Sequence, residues 1–376
     1  MSSTEQVQLL CDGTEAFPII LEEIRRARTS IYINMFIWRG DSIGHTIAEE
    51  LLDAADRGVK ITIVKDRYGI VCEYCEEDQT SFFYQKPAPL ELVSIRTLEA
   101  MYNPDRFGKE QVNRKDDLRE AILRHPNITV SCEKSRHDHS KFYLFDEEIL
   151  ILGGMNIEDK ELKPDRAGRT YRDFMIRFQG REYVRLFRER RSGITKPESE
   201  CFSLNVKEAG ISELLVSYLN LILHAEAELT ILMAYFSPVP EIVRELKQAL
   251  ARGVAMRILI PNRANFMSDI SRKTMLELYR YAKESGGNLK VYLSDDMTNT
   301  KLLMSEKEIS FGSCNITANA FTVLDEANYR QANDDSPFAR RARKRAKELI
   351  SAAREVQREE ELSFRKWMAM LEETTM

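Results

Sequence analysis

The sequence contains two copies of one strand-helix-strand pattern, and this repeat constrains the fold more than any other feature. Each copy has an apolar segment rich in β-branched and aromatic residues, then a segment with helical spacing of apolar positions, then a second apolar run. Strands that alternate with helices usually pair in parallel through right-handed crossovers, so the repeat predicts an α/β fold. The segments are residues 30–38, 43–55 and 59–64 in the first copy and residues 229–236, 240–251 and 255–260 in the second.

The join between the helix and the second strand is similar in both copies. It reads Arg57-Gly58-Val59 in one and Arg252-Gly253-Val254 in the other, each after an alanine-containing helix end. The two glycines are about 195 residues apart, a spacing typical of a duplicated domain rather than of a solenoid. We therefore expect two similar lobes followed by one basic, amphipathic helix. The predicted bounds are residues 1–195, 196–335 and 336–376, with the first boundary in a polar stretch that contains glycine and proline.

Composition narrows the classes of protein that the chain can belong to. A chain of 376 residues is long enough for two domains, and its formal net charge of -5 argues against a general nucleic-acid-binding protein. Apolar runs long enough to span a bilayer are absent from the sequence, and the six cysteines lack the spacing of a disulfide framework. Cys72 and Cys75 form a single CxxC, for which we favour a loop or helix end over a zinc or redox role. These features predict a cytoplasmic protein.

One histidine, one lysine and one asparagine have a spacing that indicates phosphate chemistry. If residues 140–145 form a strand, His139 and Lys141 lie on one face and Asp146 on the other. The apolar strand and Gly-Gly turn that follow bring Asn156 back beside the His-Lys face. An imidazole can form a covalent phosphohistidine, while an ammonium and a carboxamide stabilise charge on the phosphate oxygens. This scheme predicts no metal and no other cofactor.

The pattern His-x-Lys, four residues, Asp, then Gly-Gly-x-Asn resembles the signature of the phospholipase D superfamily. The likeness extends over most of the chain, and the most similar subgroup is the bacterial cardiolipin synthases and related phosphatidyltransferases. The resemblance implies two phospholipase D-like lobes, each a mostly parallel mixed β-sheet flanked by helices. It also implies pseudo-two-fold symmetry with the active site between the lobes. In the same way it implies that Asp173, in Tyr-Arg-Asp, orients the imidazole of His139.

The second copy of the motif retains most of the functional side chains. Lys301 and Asn315 match the family pattern, and Glu326 stands where the family has the glutamate that orients an imidazole. Glu306 replaces the aspartate on the structural face, a change that keeps the carboxylate. Asn299 replaces the second histidine, to which the resemblance assigns protonation of the leaving oxygen and activation of the acceptor. An amide forms hydrogen bonds but does not carry a proton at neutral pH.

The asparagine at position 299 predicts a reaction that is slow or blocked at one step. Loss of a general acid-base group slows a reaction by about a hundred- to ten-thousand-fold. Three explanations stay open: a natural change in a degenerate member, a designed change that traps a complex, or a group supplied by another chain. The third is disfavoured because the second motif already provides Lys301, Asn315 and Glu326. This motif would occupy the position of an active-site half supplied by another chain. Retention of these three residues also favours a designed change or a retained activity over drift.

Three functions follow from this pattern. We favour a cardiolipin synthase-like enzyme that transfers the phosphatidyl group of a phosphatidylglycerol-like phospholipid through phospho-His139 to an alcohol. A nuclease or other phosphodiesterase of the same superfamily is the second hypothesis, and the acidic net charge disfavours nucleic acid as its substrate. A catalytically impaired phosphate- or lipid-binding protein is the third. The favoured function implies peripheral contact with the inner face of the membrane; for the basic C-terminal helix itself, packing on the domain is favoured over a membrane surface.

Overall fold

The computed structural model describes residues 6–76, 81–107, 116–194 and 200–375. It contains two compact units, each with a mixed β-sheet flanked by helices, so the predicted two-lobed α/β fold is confirmed. The lobe boundary predicted at residue 195 lies outside the described residues. Two short segments of the predicted first lobe, residues 166–174 and 189–194, belong to the second unit. Unit 1 comprises Met1–Asp165 and Met175–Arg188, and unit 2 comprises Arg166–Phe174 and Glu189–Met376.

Unit 1 is built on a seven-stranded sheet with the order β1-β8-β6-β5-β2-β3-β4. Strands β2, β3 and β4 are parallel, whereas β5 runs antiparallel to β2 and to β6, and β6 antiparallel to β8. The strands are β1 Val7–Cys11, β2 Ser30–Met35, β3 Lys60–Lys65, β4 Ile128–Ser131, β5 Lys141–Phe145, β6 Ile149–Gly153 and β8 Phe174–Gln179. The two-residue strand β7, Tyr171–Arg172, pairs outside this sheet.

The helices of unit 1 cover this sheet with apolar faces that the sequence predicts. Helix α2 begins after Asp41, whose carboxylate accepts a hydrogen bond from the backbone N–H of Gly44 and so caps the helix. Ile47 and Leu51 on its inner face are fully buried in the same core as Ile31 and Ile33 of β2. Burial of each such side chain stabilises the fold by about 1.5–3 kcal/mol. The helices are α1 Asp12–Arg26, α2 Ser42–Asp56, α3 Gly69–Glu76, α4 Pro89–Tyr102, α5 Asp117–Arg124 and α6 Arg181–Arg191.

Unit 2 repeats the central part of this sheet within a nine-stranded sheet of order β10-β9-β19-β17-β16-β11-β13-β14-β20. Strands β11, β13 and β14 are parallel, and β16 runs antiparallel to β11, as β5 does to β2. The predicted duplication is therefore visible in strand order and direction. The strands are β9 Phe202–Val206, β10 Ile211–Ser212, β11 Glu228–Met233, β12 Phe236–Ser237, β13 Ala255–Pro261, β14 Leu289–Ser294, β15 Met297–Thr298, β16 Lys301–Ser305, β17 Glu308–Gly312, β18 Ile316–Thr317, β19 Glu326–Ala332 and β20 Arg354–Glu355.

The C-terminal segment consists of two helices, which corrects the prediction of one helix over residues 336–376. Strand β20 separates them and pairs antiparallel with β14, so the chain must leave the helical conformation there. No helix in the described parts of the chain is long and apolar enough to cross a membrane. The helices of unit 2 are α7 Leu214–Leu223, α8 Pro240–Ala251, α9 Ser268–Ser285, α10 Ala318–Thr322, α11 Pro337–Ala352 and α12 Lys366–Thr375.

The apolar face of helix α11 is covered by protein. Phe338 is 3% exposed, and its ring meets the rings of Phe311 and Tyr329 edge-on at centroid distances of 5.7 Å. The basic residues Arg340 and Lys344 lie on the opposite, exposed face. Packing on the domain, the favoured alternative for this helix, is therefore what the structure shows.

The packing of α11 predicts that two substitutions on its opposite faces change the free energy of unfolding by different amounts. Phe338→Ala should lower the free energy of unfolding by about 3–5 kcal/mol, because it leaves a cavity beside the rings of Phe311 and Tyr329. Lys344→Ala, on the exposed face of the same helix, should change it by no more than about 0.5 kcal/mol. Urea denaturation followed by circular dichroism measures both. Equal effects of the two variants would contradict the packing of α11.

Candidate active site

His139 and Lys141 lie together in unit 1 beside one aromatic ring. Lys141 begins strand β5, is almost completely buried, and its Nζ donates a hydrogen bond to the backbone oxygen of His139 at 2.5 Å. The ring of Phe36 meets the half-buried imidazole of His139 edge-on at a centroid distance of 4.8 Å. The same ring lies 5.2 Å from the Lys141 ammonium, within the range of a cation–π interaction. Phe36 therefore contacts both motif residues.

Asn156 joins this cluster through the residue next to Phe36. Its Oδ1 accepts a hydrogen bond from the backbone N–H of Ile37 at 3.2 Å, and its Nδ2 donates to Glu158 at 3.4 Å. The structure thus brings His139, Lys141 and Asn156 to the carboxyl end of strand β2, as the spacing of the motif predicts. We call these three residues the first cluster.

Phe36 itself is held against the start of helix α3. A Cβ atom at Gly69 would lie 1.9 Å from the backbone oxygen of Phe36, a distance that only glycine avoids. No sequence motif marks Phe36, because an aromatic residue in the run 30–38 is typical of any buried strand. Its contact with His139 depends on the residue at which strand β2 ends.

The second motif forms a buried cluster within unit 2, and Asp173 belongs to it. Asn299 donates a hydrogen bond from Nδ2 to Asp173 Oδ2 at 2.8 Å, and Lys301 Nζ lies 3.3 Å from the same oxygen. Lys301 Nζ also donates to the backbone oxygen of Asn299. We call Asp173, Asn299 and Lys301 the second cluster.

That Asp173 orients the imidazole of His139 stays a prediction. Within unit 2 the carboxylate of Asp173 accepts a hydrogen bond from Asn299 and forms an ion pair with Lys301. A short parallel pairing explains these contacts, because Tyr171 and Arg172 of β7 lie opposite Met297 and Thr298 of β15. This pairing holds the residue after β7 beside the residue after β15.

Asn315 and Glu326 lie at the turn and strand that follow in unit 2. Glu326 is fully buried and its carboxylate accepts a hydrogen bond from Ser313 Oγ, which in turn accepts from the backbone N–H of Ala327 at 3.0 Å. Asn315 is 5% exposed, and its Oδ1 has no hydrogen-bond partner among the described residues. Tyr218 braces the same turn, because its hydroxyl donates to the backbone oxygen next to Asn315 at 2.9 Å.

Comparison with known proteins decides the family. The sequence model described as "Cardiolipin synthase, PLD-like domain" matches residues 20–189 and 218–350, most of the chain. The chain belongs to this phospholipase D-like family. It is 23% identical over 344 residues to cardiolipin synthase B of Salmonella typhi, covering 86% of this chain and 75% of that protein. It is 25% identical over 357 residues to the cardiolipin synthase of Halalkalibacterium halodurans, covering 87% of this chain and 63% of that protein.

A solved structure supports the same fold. The crystal structure of phosphatidylserine synthase from Haemophilus influenzae Rd KW20 matches with a TM-score of 0.70 and 14% sequence identity. The match covers 98% of this chain and 92% of that one. The phospholipase D-like family and fold predicted from the two motifs are therefore confirmed.

The third residue of each motif in this phospholipase D-like chain is structural. Asp146 accepts hydrogen bonds from the backbone N–H groups of Arg28, Thr29 and Ser30, and so joins the end of β5 to the start of β2. Burial by itself would raise the pKa of Asp146, but these hydrogen bonds outweigh it and lower the pKa. Glu306 does the same in unit 2 by accepting from the backbone before and within β11. The change from Asp to Glu thus leaves the role intact.

A residue outside the motifs holds the segment that leads to His139. Asp66, at the end of β3, is buried and accepts hydrogen bonds from the backbone N–H groups of Tyr68, Arg136 and Asp138. Asp138 in turn accepts from the backbone N–H of Ser140 at 3.0 Å. Between these anchors His137 has a φ of 59°, a left-handed conformation that costs free energy in a residue other than glycine. The hydrogen bonds to Asp66 therefore stabilise the strained segment that leads to His139.

The CxxC sequence lies on helix α3, which agrees with the favoured helix-end interpretation. Burial raises the pKa of the Cys72 thiol to about 12 and raises that of Cys75 above its usual range. Thiols with raised pKa values are poor nucleophiles and poor metal ligands at neutral pH. In the described parts of the chain no group of three or more His, Cys, Asp or Glu side chains is placed to hold a metal ion.

The role of Asp66 generates a prediction that does not depend on activity. Asp66→Asn replaces one carboxylate oxygen by an N–H₂ group, so a backbone N–H of the 136–140 segment loses its acceptor, at a cost of about 1–3 kcal/mol. Hydrogen exchange of the Arg136 and Asp138 amides should become about ten-fold faster or more, because local opening is easier. Asp53→Asn, at an exposed position, is the matched control. Unchanged exchange in Asp66→Asn would show that the segment is held by other contacts.

Proposed function

We propose that the protein is a phosphatidyltransferase that acts through a covalent phosphohistidine at His139. The observation that carries the proposal is the first cluster, in which a half-buried imidazole lies beside a buried ammonium and a buried carboxamide. An imidazole supplies the nucleophile, while the other two groups bind phosphate oxygens. Membership of the phospholipase D-like family supports the same chemistry.

In the first step, an imidazole nitrogen of His139 attacks phosphorus, an N–P bond forms and the P–O bond to the headgroup breaks. In the second step, the oxygen of an acceptor attacks the phosphohistidine, a new P–O bond forms and the imidazole is released. Lys141 and Asn156 neutralise or hydrogen-bond the non-bridging oxygens in both steps. Lys301 and Asn315 of the second motif are proposed to bind phosphate oxygens in the same way.

The proposed substrate is a phospholipid of the phosphatidylglycerol type. The relatives in the comparison are named for cardiolipin and phosphatidylserine synthesis, and both products are phosphatidyl lipids. Such a substrate requires peripheral contact with a membrane, and we place that contact at the inner face. The acidic net charge of the chain supports lipid over nucleic acid.

Asn299 is proposed to limit this activity. Its amide occupies the position of the second histidine and keeps one function of an imidazole, the hydrogen bond to Asp173. It cannot deliver a proton to a leaving alkoxide or remove one from an acceptor alcohol. Asp173 is proposed to orient an imidazole at position 299.

The nucleophile is tested by a pair of histidine variants. His139→Ala should abolish transfer from labelled phosphatidylglycerol in mixed vesicles, because no N–P bond can form. His224→Ala, at an exposed position at the end of α7, should retain it. Thin-layer chromatography of the lipid products measures both. Equal loss in both variants, or cleavage of a labelled oligonucleotide in place of the lipid, would contradict the proposal.

The proposed lack of a proton carrier at position 299 is tested by introducing a histidine there. Asn299→His should raise turnover of phosphatidylglycerol by about a hundred- to ten-thousand-fold, the usual contribution of a general acid-base group. Adding Asp173→Asn to this variant should remove much of the gain, because the imidazole loses the carboxylate that orients it. The kcat of the single and double variants is the measurement. A gain that is unaffected by Asp173→Asn would refute the proposed role of Asp173.

A further inference from the structure

We infer that helix α4 of unit 1 carries the surface through which this protein contacts a phospholipid membrane. The inference rests on the proposed function and names the part of the chain that meets the lipid surface. The occupant of this surface is a bilayer with anionic headgroups. We call it the α4 face, and it consists of the exposed side chains of Leu90, Val93, Ser94, Thr97 and Ala100.

The α4 face differs from the outer face of an ordinary surface helix, because none of its side chains is charged. Residues three or four positions apart lie on one side of a helix, and the outer side of a helix in a globular domain usually carries charged residues. Here Leu90 is 83% exposed and Val93 is 63% exposed. Adjoining apolar side chains in this state mark a surface that binds another apolar surface.

The charged residues of α4 are directed away from this face and are paired. Glu91 forms an ion pair with Arg67 of the preceding segment at 2.7 Å. Arg96 is half-buried and forms an ion pair with Glu99 at 2.9 Å, and Glu99 is almost completely buried. The charges of the helix are therefore neutralised against the protein, and its outer side is left apolar.

The two hydroxyl groups of the α4 face are satisfied within the helix. Ser94 Oγ donates a hydrogen bond to the backbone oxygen of Leu90 at 3.3 Å, and Thr97 Oγ1 donates to that of Val93 at 2.9 Å. A polar group that leaves water without a hydrogen bond costs free energy. Because both donors already have acceptors, the face can enter an apolar environment without leaving a hydroxyl donor unpaired.

Exposed lysines beside α4 fit a membrane with anionic headgroups. The guanidinium of Arg67 donates to the backbone oxygen of Lys86, and the backbone N–H of Arg67 donates to that of Lys134. Both lysines are exposed, and neither ammonium group has an ion-pair partner in the described ranges. The neighbouring exposed carboxylate is Glu133, so the lysines outnumber it. Lysines that flank an apolar helix face are attracted to anionic lipids such as phosphatidylglycerol.

A short series of contacts within unit 1 connects α4 to the first cluster. Arg67 binds Glu91 of α4 through two hydrogen bonds. The next residue is Tyr68, whose ring lies 6.2 Å from that of Phe36. Phe36 in turn contacts the imidazole of His139. Binding of the α4 face to a bilayer therefore holds the proposed nucleophile close to the lipid surface.

The apolar part of the inference is tested by co-sedimentation with vesicles of phosphatidylglycerol and phosphatidylcholine in equal parts. Leu90→Ser/Val93→Ser should weaken binding by at least about ten-fold, because two apolar side chains no longer leave water on binding. Leu123→Ser/Val216→Ser removes the same side-chain types from other exposed positions and should retain the affinity. All four positions are exposed, so both variants should keep the urea midpoint of the unaltered protein.

The electrostatic part is tested with a second pair of variants. Lys86→Gln/Lys134→Gln should weaken binding to the mixed vesicles by about ten-fold or more at low salt, and should leave binding to pure phosphatidylcholine unchanged. Arg340→Gln/Lys344→Gln removes the same charge from the exposed face of α11 and should bind as the unaltered protein does. Loss of binding in the α11 variant alone would overturn the inference and place the membrane contact at α11.

The remaining outcomes separate the inference from the proposed function. Equal vesicle binding by Leu90→Ser/Val93→Ser and its control would overturn the inference and leave the proposed function standing. A dimer of the unaltered protein that this variant converts to monomers in analytical ultracentrifugation would also overturn it, because a second copy would then cover the α4 face.

Turnover of a short-chain phosphatidylglycerol dissolved as monomers requires no membrane, so Leu90→Ser/Val93→Ser should retain the rate of the unaltered protein. A loss of this rate in the variant would overturn the inference, because α4 would then act on the chemistry and not on membrane contact. No turnover of this lipid by the unaltered protein or by Asn299→His would overturn the proposed function. Weakened vesicle binding by the α4 variant would in that case still support the α4 face as a membrane contact.

Discussion

The parallel pairing of strands β7 and β15 determines which side chains meet at the second motif. Tyr171 and Arg172 lie opposite Met297 and Thr298, and the residues that follow, Asp173 and Asn299, come into hydrogen-bond contact. A buried carboxylate is costly unless donors satisfy it, and here an amide and an ammonium do so. The amide of Asn299 supplies one of those donors.

The same pairing shows where the sequence was informative and where it was not. Local patterns gave the duplicated sheet, because alternation and helical spacing report on burial within a few residues. They also placed His139, Lys141 and Asn156 together, since a hairpin of two strands and a glycine turn is a local structure. The hydrogen bond between Asn299 and Asp173 joins residues 126 positions apart, and no pattern in either segment predicts it.

Two other features escaped the sequence for different physical reasons. Phe36 looks like any aromatic residue of a buried strand, and its contact with His139 appears only once the end of β2 is known. Asp66 looks like an ordinary residue after a strand, yet it accepts three backbone hydrogen bonds. The C-terminal helix was predicted too long, because helix propensity does not register the pairing of β20 with β14.

The carboxylates at Asp146 and Glu306 show what kind of constraint the third motif position imposes. Each closes the gap between two strands by binding backbone N–H groups that the end of the sheet leaves exposed. Such a row of backbone amides is a small anion-binding nest. It requires a negative charge at the right distance and not one particular side chain. In both units a side-chain carboxylate therefore joins two strands of the sheet, and aspartate and glutamate are alternative residues that supply it.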